Sequence, residues 1–272
     1  MSLRDSFSSF PDVDRAERAE ELVHYLTAVS SMEMVKKYKR STYDLLKVRR
    51  GEHVLDVGCG AGDDARALAQ FVGREGLVVG LDFSQTMIAE GRRKAAGLEG
   101  SLEFRQGDAH SLPFPDCTFD ACRIDRVLQH LESPERVIGE MARVLKPGGR
   151  IAAAEPDWDT IVVDVPDRSL ARKIIHHKCD SARQGWIGRR LRTLVSAAGL
   201  ADIVVDTHTL TLTELPLADQ FFGIRTAASL AAADNAISTQ EAALWRDWLD
   251  QAAARGTFFC SLTGFSVTAC KR

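Results

Sequence analysis

No run of apolar residues in this 272-residue sequence is long enough to cross a membrane, which takes about 20 consecutive residues. The sequence also has no surplus of basic residues, because 35 lysines and arginines face 38 aspartates and glutamates and the formal net charge is -3. Proteins that bind nucleic acid or an anionic membrane surface usually carry such a surplus. We therefore expect neither a nucleic-acid nor a membrane partner, and we expect a small molecule as the substrate.

Disulfide and targeting patterns are missing as well. The six cysteines include no CxxC pair and have no regular spacing, which favours reduced, buried thiols over a disulfide framework. Residues 1–13 are polar, contain Pro11 and lack both the basic start and the apolar stretch of a secretory signal. We expect a cytoplasmic protein.

Between residues 51 and 155, short apolar runs alternate with amphipathic helical stretches. This alternation is typical of a parallel sheet with crossover helices, so we predict an α/β protein with a Rossmann-like, doubly wound sheet. The predicted strands are His53–Val57, Leu77–Asp82, Leu102–Gln106, Phe119–Ile124 and Arg150–Glu155, and helices are predicted near 63–72, 84–96 and 134–145.

The segments around this core are interpreted as additions to it. Residues 1–50 favour helix and are expected to form an N-terminal helical cap, and residues 51–272 are expected to form the main domain. Two insertions, at about 156–185 and 214–255, are expected to close over a substrate as lids. Further strands at 201–208 and 258–269 complete a predicted seven-stranded, mostly parallel sheet whose last strand is antiparallel.

The clearest motif is the segment Val54–Gly62, in which an apolar strand runs directly into a turn with glycines at positions 58, 60 and 62 and then into a helix. Glycines there permit a tight turn and let a ligand approach the main chain beside a helix N-terminus. A dinucleotide-binding turn would have its third glycine at position 63, where this sequence has Asp63 followed by Asp64. Two carboxylates would repel a pyrophosphate, so we expect a cationic cofactor.

Acidic residues also end the next two predicted strands. Asp82 closes the second strand and could accept hydrogen bonds from ribose hydroxyls, and Asp108 follows the third and could accept one from an adenine amino group. Each has a simpler alternative, since Asp82 could cap the helix that starts near Ser84 and Asp108 could stabilise a turn. Their shared position at the carboxyl ends of strands favours the ligand interpretation.

From Glu52 to Ile151 the sequence resembles the class I S-adenosylmethionine-dependent methyltransferases, especially the branch related to quinone-biosynthesis methyltransferases. The resemblance covers five segments in the same order, which are Val54–Gly62, Val79–Met87, Gln106–Phe114, Phe119–Leu131 and Met141–Gly149. It implies that S-adenosylmethionine is the cofactor and S-adenosylhomocysteine the product. The cofactor-binding residues that it implies are Asp56, Gly58, Cys59, Gly60, Gly62, Asp82, Phe83, Met87, Gly107, Asp108, Ala109, Arg123 and Ile124, the main chain of the last two facing the cofactor's amino group.

One segment departs from the family pattern. Family members often have two histidines after the fourth strand, whereas this sequence has Asp125-Arg126-Val127-Leu128-Gln129-His130. We expect Asp125 and Arg126 to contact the substrate or the carboxylate of the cofactor. His130 is the candidate catalytic base, although a role in fixing the loop by a hydrogen bond fits the sequence as well. The other candidate substrate contacts are the aromatic residues Trp158, Trp186 and Phe222.

The predicted function is methyl transfer to an O, N or C atom of a small-molecule metabolite in a biosynthetic pathway. Two alternatives keep the same fold and cofactor: an enzyme that catalyses a rearrangement or cyclisation without methylating, and a protein that only senses the cofactor. No metal is expected, because His176 and His177 lie in a basic helical stretch with no third ligand nearby. Both a monomer and a homodimer are compatible with the sequence.

Overall fold

The computed structural model describes residues 33–96 and 101–272, where strands and helices alternate as the sequence predicts. The helices are α1 (Glu33–Leu46), α2 (Asp63–Val72), α3 (Gln85–Lys94), α4 (Pro134–Val144), α5 (Arg168–Ser181), α6 (Ile187–Ala197), α7 (Leu215–Phe222), α8 (Ile224–Ala233) and α9 (Thr239–Ala254). The strands are β1 (His53–Val57), β2 (Leu77–Asp82), β3 (Leu102–Gln106), β4 (Phe119–Asp125), β5 (Leu145–Pro156), β6 (Val162–Val163), β7 (Ala201–Leu212) and β8 (Cys260–Cys270). Short 3₁₀ turns at Leu128–His130 and Trp158–Thr160 follow β4 and β5.

All of these strands belong to one sheet with the order β3-β2-β1-β4-β5-β8-β6, and β7 also pairs with β8. Strands β1 to β5 are parallel to their neighbours, whereas β8 runs antiparallel to β5. The predicted Rossmann-like, mostly parallel sheet with an antiparallel last strand is therefore confirmed. The strand order reverses between β1 and β4, and the carboxyl edge at such a switch point is where ligands bind in open α/β sheets.

The helices bury one face each against this sheet or against one another. Helix α2 shows the pattern, because its buried residues Ala65, Leu68, Ala69 and Val72 recur with helical spacing. A large cluster of buried apolar side chains lies between the sheet and α4 and α6, and a second lies between the sheet and α1 to α3. A third joins the insertions α5 and α7 to α9. In the described part of the chain, no helix has the length and apolarity that a membrane span requires.

Several boundaries differ from the sequence prediction. The sheet has an additional two-residue strand, β6, which lies in the insertion predicted at about 156–185 and pairs with Cys260 and Ser261. Strand β7 continues past the predicted end at 208 because its pairing with β8 extends to Leu212. Within the insertion predicted at about 214–255, α7 ends and α8 begins at Gly223, which adopts a left-handed conformation (φ 58°) that a helix cannot contain. Residues 1–32 of the predicted cap lie outside the described residues.

Candidate functional site

The turn between β1 and α2 is built from three glycines with left-handed backbone conformations. A Cβ atom on Gly58 would clash with the side chain of Val127, and one on Gly62 would clash with the ring of Phe104. Packing therefore requires both glycines. Within the described residues, a Cβ on Gly60 would meet no atom within 4 Å. The middle of the turn is thus the part that a ligand can approach closely.

Asp82, at the end of β2, holds this turn in place. Its Oδ2 atom accepts a hydrogen bond from the N–H of Gly60 at 2.8 Å, and its Oδ1 atom accepts one from the N–H of Ser84 at 2.9 Å. Ser84 is the residue that caps α3, because its hydroxyl accepts from the N–H of Met87. The helix-cap role considered for Asp82 therefore belongs to Ser84. The ring of Phe83 is 65% exposed beside the turn.

Asp108 lies beside Asp82, because the N–H of Gly107 donates to the Asp82 carbonyl at 3.0 Å. The Oδ1 atom of Asp108 accepts a hydrogen bond from the main-chain N–H of His110 and lies 2.8 Å from the ring Nδ1 of the same histidine. Burial acts to raise the pKa of Asp108, but the hydrogen bonds from His110 outweigh it and lower that pKa. The following residue, Ala109, is buried. The carboxylates predicted to end two strands thus lie at one edge of the sheet.

Arg123 is the centre of the charged part of this edge. Its side chain is 2% exposed. The guanidinium lies 3.2 Å from Oδ1 of Asp56, 3.2 Å from Oδ2 of Asp64 and 2.6 Å from Oδ2 of Asp125. Burial raises the pKa of Asp56 to about 6 even beside this cation. At Asp64, the charges of Arg123 and Lys39 outweigh burial and hold the pKa well below its usual range.

Helix α1 is attached to the same network by polar side chains. The ammonium of Lys39 lies 2.7 Å from Oδ2 of Asp64, and the hydroxyl of Tyr43 donates to Oδ1 of the same residue. The hydroxyl of Tyr38 donates to Asp125. The described part of the predicted cap therefore lies against the candidate site.

Lys39, Tyr38 and Tyr43 belong to this network although no motif in the sequence marks them as site residues. The signal that pointed to them is Arg123, a charged residue at an interior strand position between Cys122 and Ile124. Such a residue needs counterions when buried, and it therefore predicts an acidic and polar surrounding. The main chain of residues 123 and 124 pairs with β1 and β5 on both sides, so the polar interactions at this position come from the side chain.

Two carboxylate oxygens in the described part of the chain are buried and have no hydrogen-bond partner there: Oδ2 of Asp56 and Oε2 of Glu155. The other oxygen of Glu155 accepts from the N–H groups of Val127 and Leu128 at 2.8 and 2.6 Å. Burial, followed by the charge of Asp125, raises the pKa of Glu155 to about 8. A buried polar atom without a partner costs about 1–3 kcal/mol. Oδ2 of Asp56 is therefore a favourable position for a hydrogen-bond donor, whereas Glu155 is protonated at pH 7 and can itself donate through Oε2.

The loop after β4 has an unusual conformation that several hydrogen bonds hold. Arg126 has a φ of 60°, in the left-handed region that favours glycine. Its carbonyl accepts from Nε2 of Gln129 at 3.1 Å, and Oε1 of Gln129 accepts from the indole N–H of Trp158 at 3.0 Å. Two predicted substrate contacts, Arg126 and Trp158, are thus connected through Gln129.

The structure does not join the remaining predicted contacts to this group. Trp186 is 52% exposed and its ring lies under the guanidinium of Arg189 at 4.8 Å. Phe222 is buried within the cluster of helical insertions. Their roles as substrate contacts remain predictions.

His130 is half-buried at the end of the 3₁₀ turn after β4. Burial and the nearby charges of Arg126 and Arg183 lower the pKa of His130 to about 4. The imidazole is therefore neutral at pH 7 and has low proton affinity. In the described ranges, no group of three or more His, Cys, Asp or Glu side chains could hold a metal ion.

The chain resembles known proteins in sequence and fold. It matches the family model of the methyltransferase domain over residues 54–149. An uncharacterized 37.1 kDa protein in transposon TN4556 of Streptomyces fradiae is 38% identical over 248 residues, which cover 91% of this chain and 70% of that protein. The demethylmenaquinone methyltransferase of Shouchella clausii is 32% identical over 200 residues, which cover 68% of this chain and 85% of that enzyme.

A solved structure extends the similarity in fold. Phosphoethanolamine N-methyltransferase 2 of Haemonchus contortus, in complex with S-adenosyl-L-methionine, superposes with a TM-score of 0.61. The match covers 98% of this chain and 60% of that chain at 18% identity. At this identity the likeness is one of fold.

Proposed function

Because the chain belongs to the family of S-adenosylmethionine-dependent methyltransferases, we propose that it methylates an O, N or C atom of a small, partly apolar metabolite in a biosynthetic pathway. The relative named demethylmenaquinone methyltransferase supports this class of acceptor. In this proposal residues 51–272 form the methyltransferase domain. Residues 1–50 and the insertions at about 156–185 and 214–255 cover the acceptor.

The residues at the carboxyl edge of β1, β2 and β3 fit S-adenosylmethionine, which carries a sulfonium and an ammonium group. The observation that carries the proposal is the buried Oδ2 atom of Asp56, which has no partner among the described residues and can accept a hydrogen bond from the ammonium. Gly60 leaves its main chain open to the ligand. The carboxylates of Asp82 and Asp108 would hold the ribose and the adenine amino group, and the exposed ring of Phe83 would cover the adenine.

When bound, S-adenosylmethionine supplies a methyl group that its positive sulfur already activates. What the protein must add is alignment of the acceptor and exclusion of water. We propose that helix α1 and the loops after β4 and β5 provide both, since Tyr38 of α1 contacts Asp125 at the end of β4 and Trp158 after β5 contacts Gln129 after β4. His130, with a pKa of about 4, is a weak general base, so the proposed reaction depends on alignment more than on proton removal by this residue. The activated methyl group needs no metal.

Calorimetric titration with S-adenosylmethionine and S-adenosylhomocysteine tests the proposed site. Asp82→Ala removes a ribose contact and releases Gly60, so affinity for both ligands should fall roughly 10- to 100-fold. Glu75→Ala is the matched control, because Glu75 is exposed and precedes the same strand at its opposite end. A flat titration of the folded wild-type protein would contradict the cofactor assignment.

If binding is found, transfer of the tritiated methyl group of S-adenosylmethionine to a panel of phenols, naphthols and amines identifies the acceptor class.

A further inference from the structure

Arg126 adopts a backbone conformation that glycine would adopt without strain. Its φ of 60° places the Cβ atom of an L-residue too close to its own backbone. Such conformations persist only where the surroundings impose them, and they concentrate at functional sites.

Three sets of hydrogen bonds impose this conformation. The N–H of Arg126 donates to the carbonyl of Ala154 at 2.9 Å, and its carbonyl accepts from the side chain of Gln129. The carboxyl of Glu155 then binds the N–H groups of the next two residues. The main chain is thus fixed on both sides of Arg126, which leaves its side chain as the part of this turn that can respond to a ligand.

The guanidinium of Arg126 makes no hydrogen bond or ion pair within the part of the chain that the structure describes. Two carboxyl groups, those of Asp125 and Glu155, lie near enough for the charge of Arg126 to lower their pKa values, but neither makes an ion pair with its guanidinium. Asp125 accepts from Arg123 and Tyr38, and Glu155 accepts from main-chain N–H groups. A half-buried guanidinium that makes no hydrogen bond or ion pair among the described residues can bind an anion at a ligand edge, and its planar shape matches a carboxylate in two-point contact.

Arg126 also lies between the two halves of the proposed site. The next residue, Val127, fills the space that a Cβ atom of Gly58 would occupy, which places Arg126 beside the glycine turn. On the other side, Gln129 connects it to Trp158 in the loop after β5. An anion held by Arg126 would therefore belong to a ligand at the junction of these two loops.

We propose that Arg126 binds an anionic oxygen of a ligand at this junction, an inference that rests on the proposed function because it assumes that cofactor and acceptor occupy this edge. The oxygen has two possible sources. One is the α-carboxylate of S-adenosylmethionine, and the other is a carboxylate or equivalent oxyanion of the acceptor.

Three ligands distinguish the sources by calorimetric titration. S-adenosylhomocysteine carries the α-carboxylate, 5′-methylthioadenosine lacks the whole amino-acid part, and 1-naphthoate added to the S-adenosylhomocysteine complex serves as an apolar anionic probe of the acceptor side. The variants are Arg126→Gly and Arg126→Asn, both of which tolerate the left-handed conformation, and Arg126→Lys, which keeps a charge without the planar fork. Arg192→Ala is the control, because Arg192 is exposed on α6.

A cofactor contact predicts that Arg126→Gly and Arg126→Asn weaken S-adenosylhomocysteine binding roughly 10- to 100-fold and leave 5′-methylthioadenosine unchanged. An acceptor contact predicts unchanged nucleoside binding and a comparable loss of 1-naphthoate binding. In either case the ligand affinity of Arg126→Lys should lie between that of the wild-type protein and those of Arg126→Gly and Arg126→Asn. Relief of strain should also raise the Tm of the glycine and asparagine variants by roughly 2–4 °C, so that a loss of ligand affinity in these variants does not come from loss of folding.

Failure of the proposed function and failure of the Arg126 proposal would give different titration results. If wild-type protein binds neither nucleoside, the proposed function fails. If it binds S-adenosylhomocysteine and that affinity is unchanged in all Arg126 variants, with no Arg126-dependent binding of 1-naphthoate, only the role of Arg126 is overturned.

Discussion

Asp56 and Arg123 occupy paired positions on neighbouring parallel strands, and Nη1 of Arg123 lies 3.2 Å from Oδ1 of Asp56. The ion pair uses one oxygen of the carboxylate and leaves Oδ2 buried without a partner in the described part of the chain. The arginine thus keeps a carboxyl group in the sheet while one of its oxygens stays available to a ligand. Loss of the arginine should therefore affect the sheet and the candidate site together.

Arg123→Met should strongly destabilise the protein. The substitution leaves Asp56, Asp64 and Asp125 without their shared counterion, and removing one partner of a buried ion pair costs roughly 3–5 kcal/mol. Urea denaturation followed by circular dichroism measures the change. Arg93→Met is the control, because Arg93 is exposed and its ion pair among the described residues is with the neighbouring Glu90, and it should have no measurable effect. Equal stability of the two variants would contradict a central role for Arg123.

Glu155→Gln should change how stability depends on pH. The pKa of Glu155 is about 8 in the folded protein, whereas the ordinary pKa of a glutamate side chain is 4.5. Between these values the unfolded chain releases a proton that the folded protein retains, so this group makes wild-type stability fall as pH rises, by on the order of 4 kcal/mol in total. Glutamine still accepts from Val127 and Leu128 and does not ionise.

Urea denaturation between pH 5 and pH 9 tests that difference, with roughly one pH unit between measurements. The stability of Glu155→Gln relative to wild type should increase steadily up to about pH 8 and then level off. Glu132→Gln, at an exposed loop position, should follow the wild-type curve. A Glu155→Gln curve parallel to wild type would show that this carboxyl ionises normally.

Lys39→Met should loosen helix α1. It removes the partly buried ion pair with Asp64, one of the contacts that attach the helix to the sheet edge. Amide hydrogen exchange within α1 should therefore become at least about 5-fold faster, while exchange in β1 and β4 stays unchanged. Lys37→Met is the matched control, because Lys37 lies on the exposed side of the same helix. Equal exchange in the two variants would mean that the Lys39 contact does not hold the helix.

Two glycines of the turn after β1 should respond differently to alanine. Gly60→Ala adds a methyl group where the described residues leave space, so it should cost only about 1 kcal/mol of stability but weaken S-adenosylhomocysteine binding roughly 10-fold or more. Gly58→Ala adds a clash with Val127 and should lower the Tm much further. Thermal denaturation and calorimetry measure both effects. A stable Gly60→Ala protein with full affinity would place the ligand elsewhere.

The core strands could be predicted because their signals are local. His53–Val57, Leu77–Asp82 and Leu102–Gln106 are apolar runs bounded by turn residues, and the structure confirms these bounds. Asp82 and Asp108 could be placed together from sequence because the carboxyl ends of adjacent parallel strands share one edge. The hydrogen bonds from Gly60 and Gly107 to Asp82 agree with that placement.

The ion network and the strained turn could not be predicted, because they depend on contacts between distant segments. Arg123 meets Asp56 only through the register of β4 on β1, and it meets Asp64 through the start of α2. Nothing in the residues around position 126 predicts a left-handed arginine, since glycine or asparagine is the usual residue there. The conformation follows from Gln129, which Trp158 contacts from the loop after β5, and from Glu155 on β5.

The contact between Gly58 and Val127 has a consequence for altering this protein. Because the side chain of Val127 packs directly against Gly58, the turn after β1 and the loop after β4 are in close contact. A shift of either segment would therefore move the other. In-line transfer tolerates little change in the separation of the reacting atoms. If the insertions cover the acceptor as proposed, attempts to broaden the range of acceptors should randomise α5 and α7 to α9 and keep residues 126–129 constant.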